Sequence, residues 1–175
     1  MDQVQLIPQP AVILTQPVSQ SVVGPTNVVI SVATTGTPPL LYNWWKAGVS
    51  VPGLNAASLT LSNASRANSG TYWVVVTNAA GGMTSSNAVL TVRVPQLLGT
   101  PTLLPDGSIL LSSTDAGGGV ISSTDLANLF AQASSNLVDW VTLSNALSIT
   151  NGAIQLQDPA AANSPARFYR IIEGP

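Results

Sequence analysis

The side chains that could carry out acid–base, nucleophilic or metal chemistry are few in this chain and stand apart. Seven Asp and Glu and five Lys and Arg occur among the 175 residues, with no His and no Cys. Without imidazole or thiol groups, Ser-His-Asp and Cys-His catalytic sites and His or thiolate metal sites cannot form. A glycosidase needs two carboxyl groups across one cleft, but these acids stand singly, near Gly and Ser as in turns. We therefore expect no enzyme activity, no catalytic residue, no cofactor and no metal.

Three weaker alternatives involve the acids and the single lysine. Asp106 and Asp115 are loop acids close to each other in the sequence, and converging loop oxygens can bind calcium. Asp125 and Asp139 could meet in space as a carboxyl pair. Lys46 could form an internal crosslink with an Asn. We favour turn positions for the acids and a solvated strand end for Lys46.

The charge content of the chain is unusually low. Charged residues make up 7% of the sequence, where about 25% is typical of soluble domains. Ser, Thr, Asn, Gln and apolar side chains must therefore cover the surface, and such a surface is poorly protected against self-association. The composition predicts either that much of the surface is buried against partners or that this is a Thr/Ser/Asn-rich exported protein.

The few charges are divided unevenly along the chain. Residues 1–95 carry Lys46, Arg66 and Arg93 against Asp2, a net charge of +2, whereas residues 96–175 carry two Arg against six acids, a net charge of −4. Opposite signs at the two ends favour head-to-tail contact weakly. The sequence has no basic stripe, and we expect no nucleic-acid partner.

The sequence has no apolar run of the length that a membrane helix needs, about 18 residues or more, and we expect no membrane span. The first residues, MDQVQLIPQPAVILTQP, have neither a basic n-region nor a continuous apolar stretch. No signal peptide is therefore predicted in this chain. Either a signal has been removed or the protein is not secreted; we expect an extracellular or cell-surface location.

Short runs of Val, Ile, Leu and Thr, separated by Gly, Pro and Asn, recur along the chain and are typical of a β-sandwich or barrel. They predict strands over residues 12–15, 27–34, 40–45, 58–61, 70–77 and 87–94. A strand, a turn at Asp106-Gly107 and a second strand follow over 103–111, and further strands over 128–133, 140–143, 153–157 and 167–172. Residues 112–124 predict a long loop, and Asn151-Gly152 predicts a type I′ hairpin turn. We expect an all-β protein with an apolar N-terminal arm (1–9) and two tandem β-sandwich domains (10–94 and 95–175).

Residues 10–94 resemble the immunoglobulin-like (I-set-like) modules of large bacterial surface proteins. The resemblance rests on Trp44, at the position of the strand-C tryptophan, and on Asn68-Ser69-Gly70-Thr71-Tyr72-Trp73-Val74, which is similar to the family motif D-x-G-x-Y-x-C. It implies a first domain of immunoglobulin-like fold, with Tyr72 as the tyrosine corner. Val32 and Val74 stand at the two cysteine positions, so the disulfide, worth roughly 3–4 kcal/mol for a loop of this length, is absent. The expected core markers are Val32, Trp44, Tyr72 and Val74.

The second half of the chain resembles a module found at the C-terminal end of such bacterial proteins. The residues that carry the resemblance are Ala133-Ser134-Ser135-Asn136-Leu137-Val138-Asp139-Trp140 and Phe168-Tyr169-Arg170. It implies a fibronectin-like or immunoglobulin-like sandwich, with Trp140, Phe168 and Tyr169 as core markers.

Strand alternation places two tryptophans on an outer surface. If Trp44 faces the core, Trp45 faces outward, and if Tyr72 and Val74 face the core, Trp73 and Val75 face outward. Strands C and F are neighbours in the immunoglobulin fold, so Trp45, Trp73 and Val75 should share one face. Such a pair predicts a contact with another subunit or domain. The alternatives are a sugar-stacking platform and two indoles covered by their own loops.

The N-terminal arm is a second candidate for assembly. Val4, Leu6 and Ile7 precede two prolines, and Val12 and Leu14 follow them. Apolar residues of this kind are costly to leave in water, and they could be added as a strand to a neighbouring molecule.

Three hypotheses for function follow. The first is a structural, self-assembling subunit of an extracellular fibre, sheath or surface layer whose partners are copies of itself. The second is an adhesion or accessory module that binds a polysaccharide or cell-surface ligand for a larger secreted protein. The third is a viral structural protein with an immunoglobulin-like domain, which the sequence does not separate from the first.

Overall fold

The computed structural model describes residues 7–144 and 146–174. The chain divides into two compact units, Met1–Arg93 (domain 1) and Val94–Pro175 (domain 2). The described residues include no helix long and apolar enough to cross a lipid bilayer.

Domain 1 consists of short strands joined by turns and one 3-10 turn at Arg66–Asn68. The strands are β1 (Val12–Thr15), β2 (Gln20–Val23), β3 (Thr26–Ser31), β4 (Ala33–Thr35), β5 (Leu41–Lys46), β6 (Val49–Ser50), β7 (Ser58–Ala64), β8 (Gly70–Asn78), β9 (Gly81–Thr84) and β10 (Ala88–Arg93). The larger sheet has the order β2-β10-β8-β5-β6, with β9 also on β8, while β3 pairs with β7 and β1 with β4. β2 runs parallel to β10.

The core of domain 1 lies between these sheets. Trp44, Tyr72 and Val74 point inward from the larger sheet, and Ile30 and Leu59 from the β3–β7 pair, all with 4% or less of their surface exposed. Alternation along β8 explains the pattern, because its residues are buried at every second position from Tyr72 to Val76.

Domain 1 has the immunoglobulin-like features that the sequence predicts. The Tyr72 hydroxyl donates a hydrogen bond to the Asn68 carbonyl at 2.7 Å, which is the tyrosine corner. Val32 is buried, as Val74 is, so aliphatic packing occupies both positions where immunoglobulin domains can carry a disulfide. All four residues expected in the core of this domain are buried.

Domain 2 is a second sandwich. Its elements are β11 (Gln96–Leu98), β12 (Thr102–Leu103), β13 (Ile109–Asp115), α1 (Ser123–Leu126), β14 (Leu129–Ser134), β15 (Val141–Thr142), β16 (Leu147–Thr150), β17 (Ala153–Asp158), a 3-10 helix (Pro159–Asn163) and β18 (Phe168–Glu173). One sheet has the order β11-β13-β17-β16, with β12 also on β13, and the other has the order β15-β14-β18. Leu111 and Leu156 from the first sheet pack with Ala131 from the second.

Asn151-Gly152 joins β16 to β17 as the sequence predicts. Both residues have positive φ, 52° and 75°, as a type I′ turn requires. The predicted loop over residues 112–124 is wrong in two places. β13 continues to Asp115, because its pairing with β11 extends to that residue. Ser122 caps α1, since its hydroxyl accepts a hydrogen bond from the Asp125 N–H.

Two of the expected core markers of domain 2 are not in the core. Tyr169 packs against the Leu111–Ala131–Leu156 cluster, and alternation therefore turns Phe168 outward, where 39% of its surface is exposed. Trp140 belongs to the turn before β15. Its indole N–H donates to the Leu137 carbonyl at 3.1 Å, and the Arg170 guanidinium carbon lies 4.1 Å from the ring centroid. It is a half-buried cation–π partner instead of a core residue.

Candidate functional site

The two outward tryptophans of domain 1 lie directly opposite each other on neighbouring strands. Trp45 on β5 is in register with Trp73 on β8, while Trp44 and Val74, the next pair, face the core. The indole centroids are 6.1 Å apart and the ring planes differ by 2°. These values are typical of an offset stack. The rings therefore lie against each other and stand up from the sheet as one apolar block.

The surface around the indoles is apolar or neutral. Asn43 is paired with Val75 beside the indoles, and Leu41 and Val89 are 51% and 48% exposed on the same face. This surface, the aromatic face, comprises Leu41, Asn43, Trp45, Trp73, Val75 and Val89. The sequence predicts that Trp45, Trp73 and Val75 share this face. It does not single out Leu41 and Val89, although strand alternation could have placed both on the outer surface.

One polar atom of the aromatic face is hidden. Trp45 Nε1 is buried and has no hydrogen-bond partner in the part of the chain that the structure describes. A buried N–H without an acceptor costs about 1–3 kcal/mol. A molecule that docks on this face meets the ring carbons instead of the N–H, so the face offers contact area and few directed hydrogen bonds.

Lys46, at the end of β5, is not the solvated strand end that the sequence predicted. Its Nζ donates a hydrogen bond to the Ala67 carbonyl and lies 6.0 Å from the centroid of the Tyr72 ring. Burial lowers the pKa of its ammonium group. The only lysine thus helps to hold the turn before β8.

Three carboxylates of the described residues are used in local structure. Asp106 accepts from the Ser108 N–H and hydroxyl, Asp125 from Ser122, and Asp139 from the Asn136 amide at 2.7 Å. Hydrogen bonds from Ser108 lower the pKa of Asp106. No group of three or more acids that could hold a metal ion occurs among residues 7–144 and 146–174.

Asp158 forms a charged network that the sequence did not predict. It is 2% exposed and accepts from Arg167 Nε at 2.7 Å and from the Tyr169 hydroxyl at 3.1 Å. The hydrogen bond to Asp158 raises the pKa of Arg167, and burial followed by the Asp158 charge raises the pKa of Tyr169. The network joins the end of β17 to the start of β18. The buried Asp158 therefore stabilises the fold by binding both Arg167 and Tyr169.

The N-terminal arm is partly attached to domain 1. The Gln9 N–H donates to the Thr37 hydroxyl at 2.8 Å, its carbonyl accepts from the Thr37 N–H at 3.0 Å, and the Asn78 amide donates to the same carbonyl at 2.7 Å. Ile7, two residues earlier, is 77% exposed. Val4 and Leu6 lie outside the described residues.

The other two arm candidates belong to the first strand. Val12 and Leu14 lie in β1, which pairs with β4, and their side chains are 38% and 66% exposed. They form part of the outer surface of domain 1.

The attachment of Gln9 and the exit of the chain lie at opposite ends of domain 1. Asn78, which holds Gln9, is the last residue of β8. Leu90 pairs with Gly70, the first residue of β8, and Arg93 lies beyond that point. β8 has nine residues, or about 26 Å of strand. Domain 1 therefore has a polarity, with the arm at one end and the link to domain 2 at the other.

A cleft of 520 Å³ opens in domain 2 beside α1, β14 and β15. Leu126, Leu129, Phe130, Leu143 and Leu147 line it together with Ala, Ser and Thr side chains. The lining has no ionisable group, so the cleft can offer apolar contact but no acid–base chemistry.

Comparison of the sequence with protein-family models and with curated proteins gives no match. Similar solved structures include a chimeric titin Z1Z2 with an exogenous decorin peptide, 26% identical over 50% of this chain and 98% of that chain, at a TM-score of 0.45. The titin M10–obscurin-like 1 complex is 25% identical over 49% and 95% of the two chains, at 0.45. The titin I67–I69 fragment is 17% identical over 85% and 54%, at 0.46.

Proposed function

We propose that this chain is a non-catalytic structural protein that assembles with copies of itself, and that the aromatic face of domain 1 is one of its contacts. The observation that carries the proposal is the stacked Trp45–Trp73 pair, which stands on an outer sheet surface among uncharged neighbours. Contiguous apolar surface of this kind marks interaction sites.

The composition of the aromatic face supports a protein partner. Tryptophan is enriched at the residues that dominate interface energies, and charged residues are depleted from the centres of interfaces. The low charge content of the whole chain, 7%, supports the same conclusion, because few charged side chains would have to be desolvated when copies associate.

A carbohydrate platform is the competing use of the two indoles. Sugar stacking needs an exposed ring face, and in an offset stack the two indoles cover part of each other. The buried Trp45 N–H is also out of reach of a sugar hydroxyl. We favour self-association for these two reasons.

The setting that we propose is extracellular, in a fibre, sheath or surface layer. It is supported by the resemblance of residues 10–94 to the modules of bacterial surface proteins and by the neutral, Ser- and Thr-rich composition. Surface labelling of cells that make the protein would test the location, and protection from an impermeant label would contradict it.

The experiment on the aromatic face is a double substitution, Trp45→Ala with Trp73→Ala. Loss of a hot spot of about 2 kcal/mol weakens association through this face about 30-fold, and sedimentation velocity should show the largest species of the wild type replaced by smaller ones. Val29→Ala, which shortens a 51% exposed side chain on the opposite sheet, is the control and should assemble normally. Circular dichroism confirms that each variant is folded.

Two results would contradict the proposal. One is a wild-type protein that stays monomeric at high concentration; the other is a double variant that assembles like the wild type. A saturable change of tryptophan fluorescence on addition of a soluble polysaccharide would favour the carbohydrate platform instead.

A further inference from the structure

One edge of the smaller sheet of domain 2 is open. β18 pairs with β14 along its whole length, from Phe168 to Glu173, and with no other strand in the described part of the chain. The Ala131 carbonyl accepts a hydrogen bond from the Leu143 N–H and therefore points towards β15. Its neighbours in β14, Phe130 and Gln132, direct their N–H and C=O groups to the other side, towards β18. Their partners there are Ile172 and Arg170.

The backbone groups of the alternate residues of β18 therefore face outward. In an antiparallel ladder successive residues direct their N–H and C=O groups to opposite sides. Because Arg170 and Ile172 face β14, Tyr169 and Ile171 present their N–H and C=O groups at the open edge. These are the groups that an added strand would bind.

Comparison of the two domains shows which position of the sheet this edge corresponds to. In domain 1 the order β5-β8-β10 places a strand on each side of β8. β5 and β8 of domain 1 pair with each other, and so do β14 and β18 of domain 2. The opposite sheet contains the pair β3–β7 in domain 1 and the pair β13–β17 in domain 2. β14 and β18 therefore correspond to β5 and β8. No described strand of domain 2 takes the place that β10 has in domain 1.

The open edge has no proline, lysine or bulge against pairing, although β11 of the other sheet comes close to β18. Edge strands are commonly short or interrupted by Pro, Lys or a bulge, whereas β18 has six residues, FYRIIE, in continuous register. Phe168 and Ile172 add apolar surface beside the edge, 39% and 38% exposed. β18 is thus suited to accept a further strand.

The N-terminal segment of a second copy fits as the added strand. Gln3 and Gln5 alternate with Val4 and Leu6, which is the pattern of a strand with one apolar face, and Pro8 ends the run. Gln9, which follows this segment in the sequence, is attached at the end of domain 1 opposite to Arg93. That polarity suits a head-to-tail chain of molecules.

Charge supports the same pairing. The half of the chain that carries the segment has a net charge of +2, and the half that carries β18 has −4. Two copies therefore attract each other when domain 1 of one approaches domain 2 of the next.

We propose that residues 1–7 of one molecule add as a strand to the open edge of β18 in the next molecule, and so complete the smaller sheet of its domain 2. The inference rests on the proposed self-assembly but uses a contact separate from the aromatic face.

The first test is deletion of residues 1–7 combined with addition of a peptide of residues 1–9. The truncated protein should form no species larger than those that the aromatic face alone can hold together, and the peptide should bind it saturably at one site. Hydrogen exchange should then slow at the amides of Tyr169 and Ile171. Normal assembly of the truncated protein, or no binding of the peptide, would overturn the proposal.

Matched peptides test the alternation. Val4→Asp with Leu6→Asp places two charges on the apolar face, and binding should weaken about tenfold or more. Gln3→Asp with Gln5→Asp adds the same charge to the other face and should bind nearly as well as the native peptide. Equal loss in both peptides would mean that the segment does not bind as an alternating strand.

A substitution in β18 tests the acceptor edge. Ile171→Pro removes an outward N–H, and Ile171→Ala loses a similar amount of packing but keeps the N–H. Only the proline variant should lose the peptide. If it does not fold, the peptide pair still decides the question. Peptide binding should persist in the Trp45→Ala, Trp73→Ala protein, so failure of the aromatic face and failure of the edge are separable.

Discussion

At the scale of single residues, Tyr169 is the side chain whose removal tests the charged network of domain 2. Its hydroxyl donates to Asp158, which is 2% exposed. In Tyr169→Phe this carboxylate loses a donor, and hydrogen bonds to charged groups are worth about 1.5–3 kcal/mol. Because Tyr169 is partly exposed, we expect a decrease near the lower limit in the free energy of unfolding, measured by urea titration at pH 7.

The same variant should change the dependence of stability on pH. Burial and the Asp158 charge raise the pKa of Tyr169 above 10.0. A raised pKa means that this contribution is fully present below about pH 10 and is lost as the pH rises through the folded-state value. The wild type should therefore lose stability faster than Tyr169→Phe above pH 10. Parallel profiles would show that the phenol is not held as described.

Individual residues also show what the sequence could predict. Trp44, Tyr72 and Val74 were assigned to the core by motif and alternation, and the burial of each is close to complete. Motif and alternation do not decide which ring of the pair Phe168-Tyr169 faces the core. Either ring could face inward on local sequence alone, and the choice is made by Asp158, a partner from another strand.

At the scale of elements, the turn between β16 and β17 offers a sharp test. Gly152 has a φ of +75°, and a Cβ there would lie 2.8 Å from Val120 Cγ1. Left-handed backbone costs a residue with a Cβ about 1–2 kcal/mol. Gly152→Ala should lower the stability of domain 2 by that amount plus the cost of displacing Val120, as measured by urea unfolding.

Gly118 provides the matched control for this turn. It has a similar φ of +70°, but nothing lies within 4 Å of an added Cβ. Gly118→Ala should therefore show the backbone cost alone and be the milder change. Equal destabilisation by the two substitutions would mean that Val120 moves aside freely.

The elements that the sequence missed share a physical cause. β2, β6, β9, β11 and β16 have two to four residues each, too few for alternation to stand out from chance. β2 is a strand because β10 pairs with it, and β11 because β13 does. Such strands are specified by a distant partner instead of by their own side chains. The open edge of β18 was missed for the same reason.

At the scale of the whole molecule, the unequal charge of the two halves predicts a salt-dependent assembly. The Debye length falls from about 30 Å at 0.01 M salt to about 8 Å at 0.15 M. At the higher salt concentration, the attraction between residues 1–95 of one molecule and residues 96–175 of the next is therefore largely screened. Assembly followed by light scattering should slow several-fold between these salt concentrations. Arg93→Gln removes one of the three cationic side chains of residues 1–95 and should slow assembly at low salt only. Faster assembly at high salt would mean that apolar contacts, and not charge, drive the association.

The parallel pairing of β2 with β10 has a mechanical consequence. The chain reaches domain 1 through Gln9 at one end and leaves beyond Arg93 at the other, so tension along a filament of such molecules would pull β2 and β10 in opposite directions along their length. Four residue pairs, from Gln20–Leu90 to Val23–Arg93, hold these strands together. Strands loaded lengthwise must break their hydrogen bonds together, whereas a hairpin pulled open breaks them one by one. Under such tension, domain 1 would therefore bear the load in shear across these hydrogen bonds.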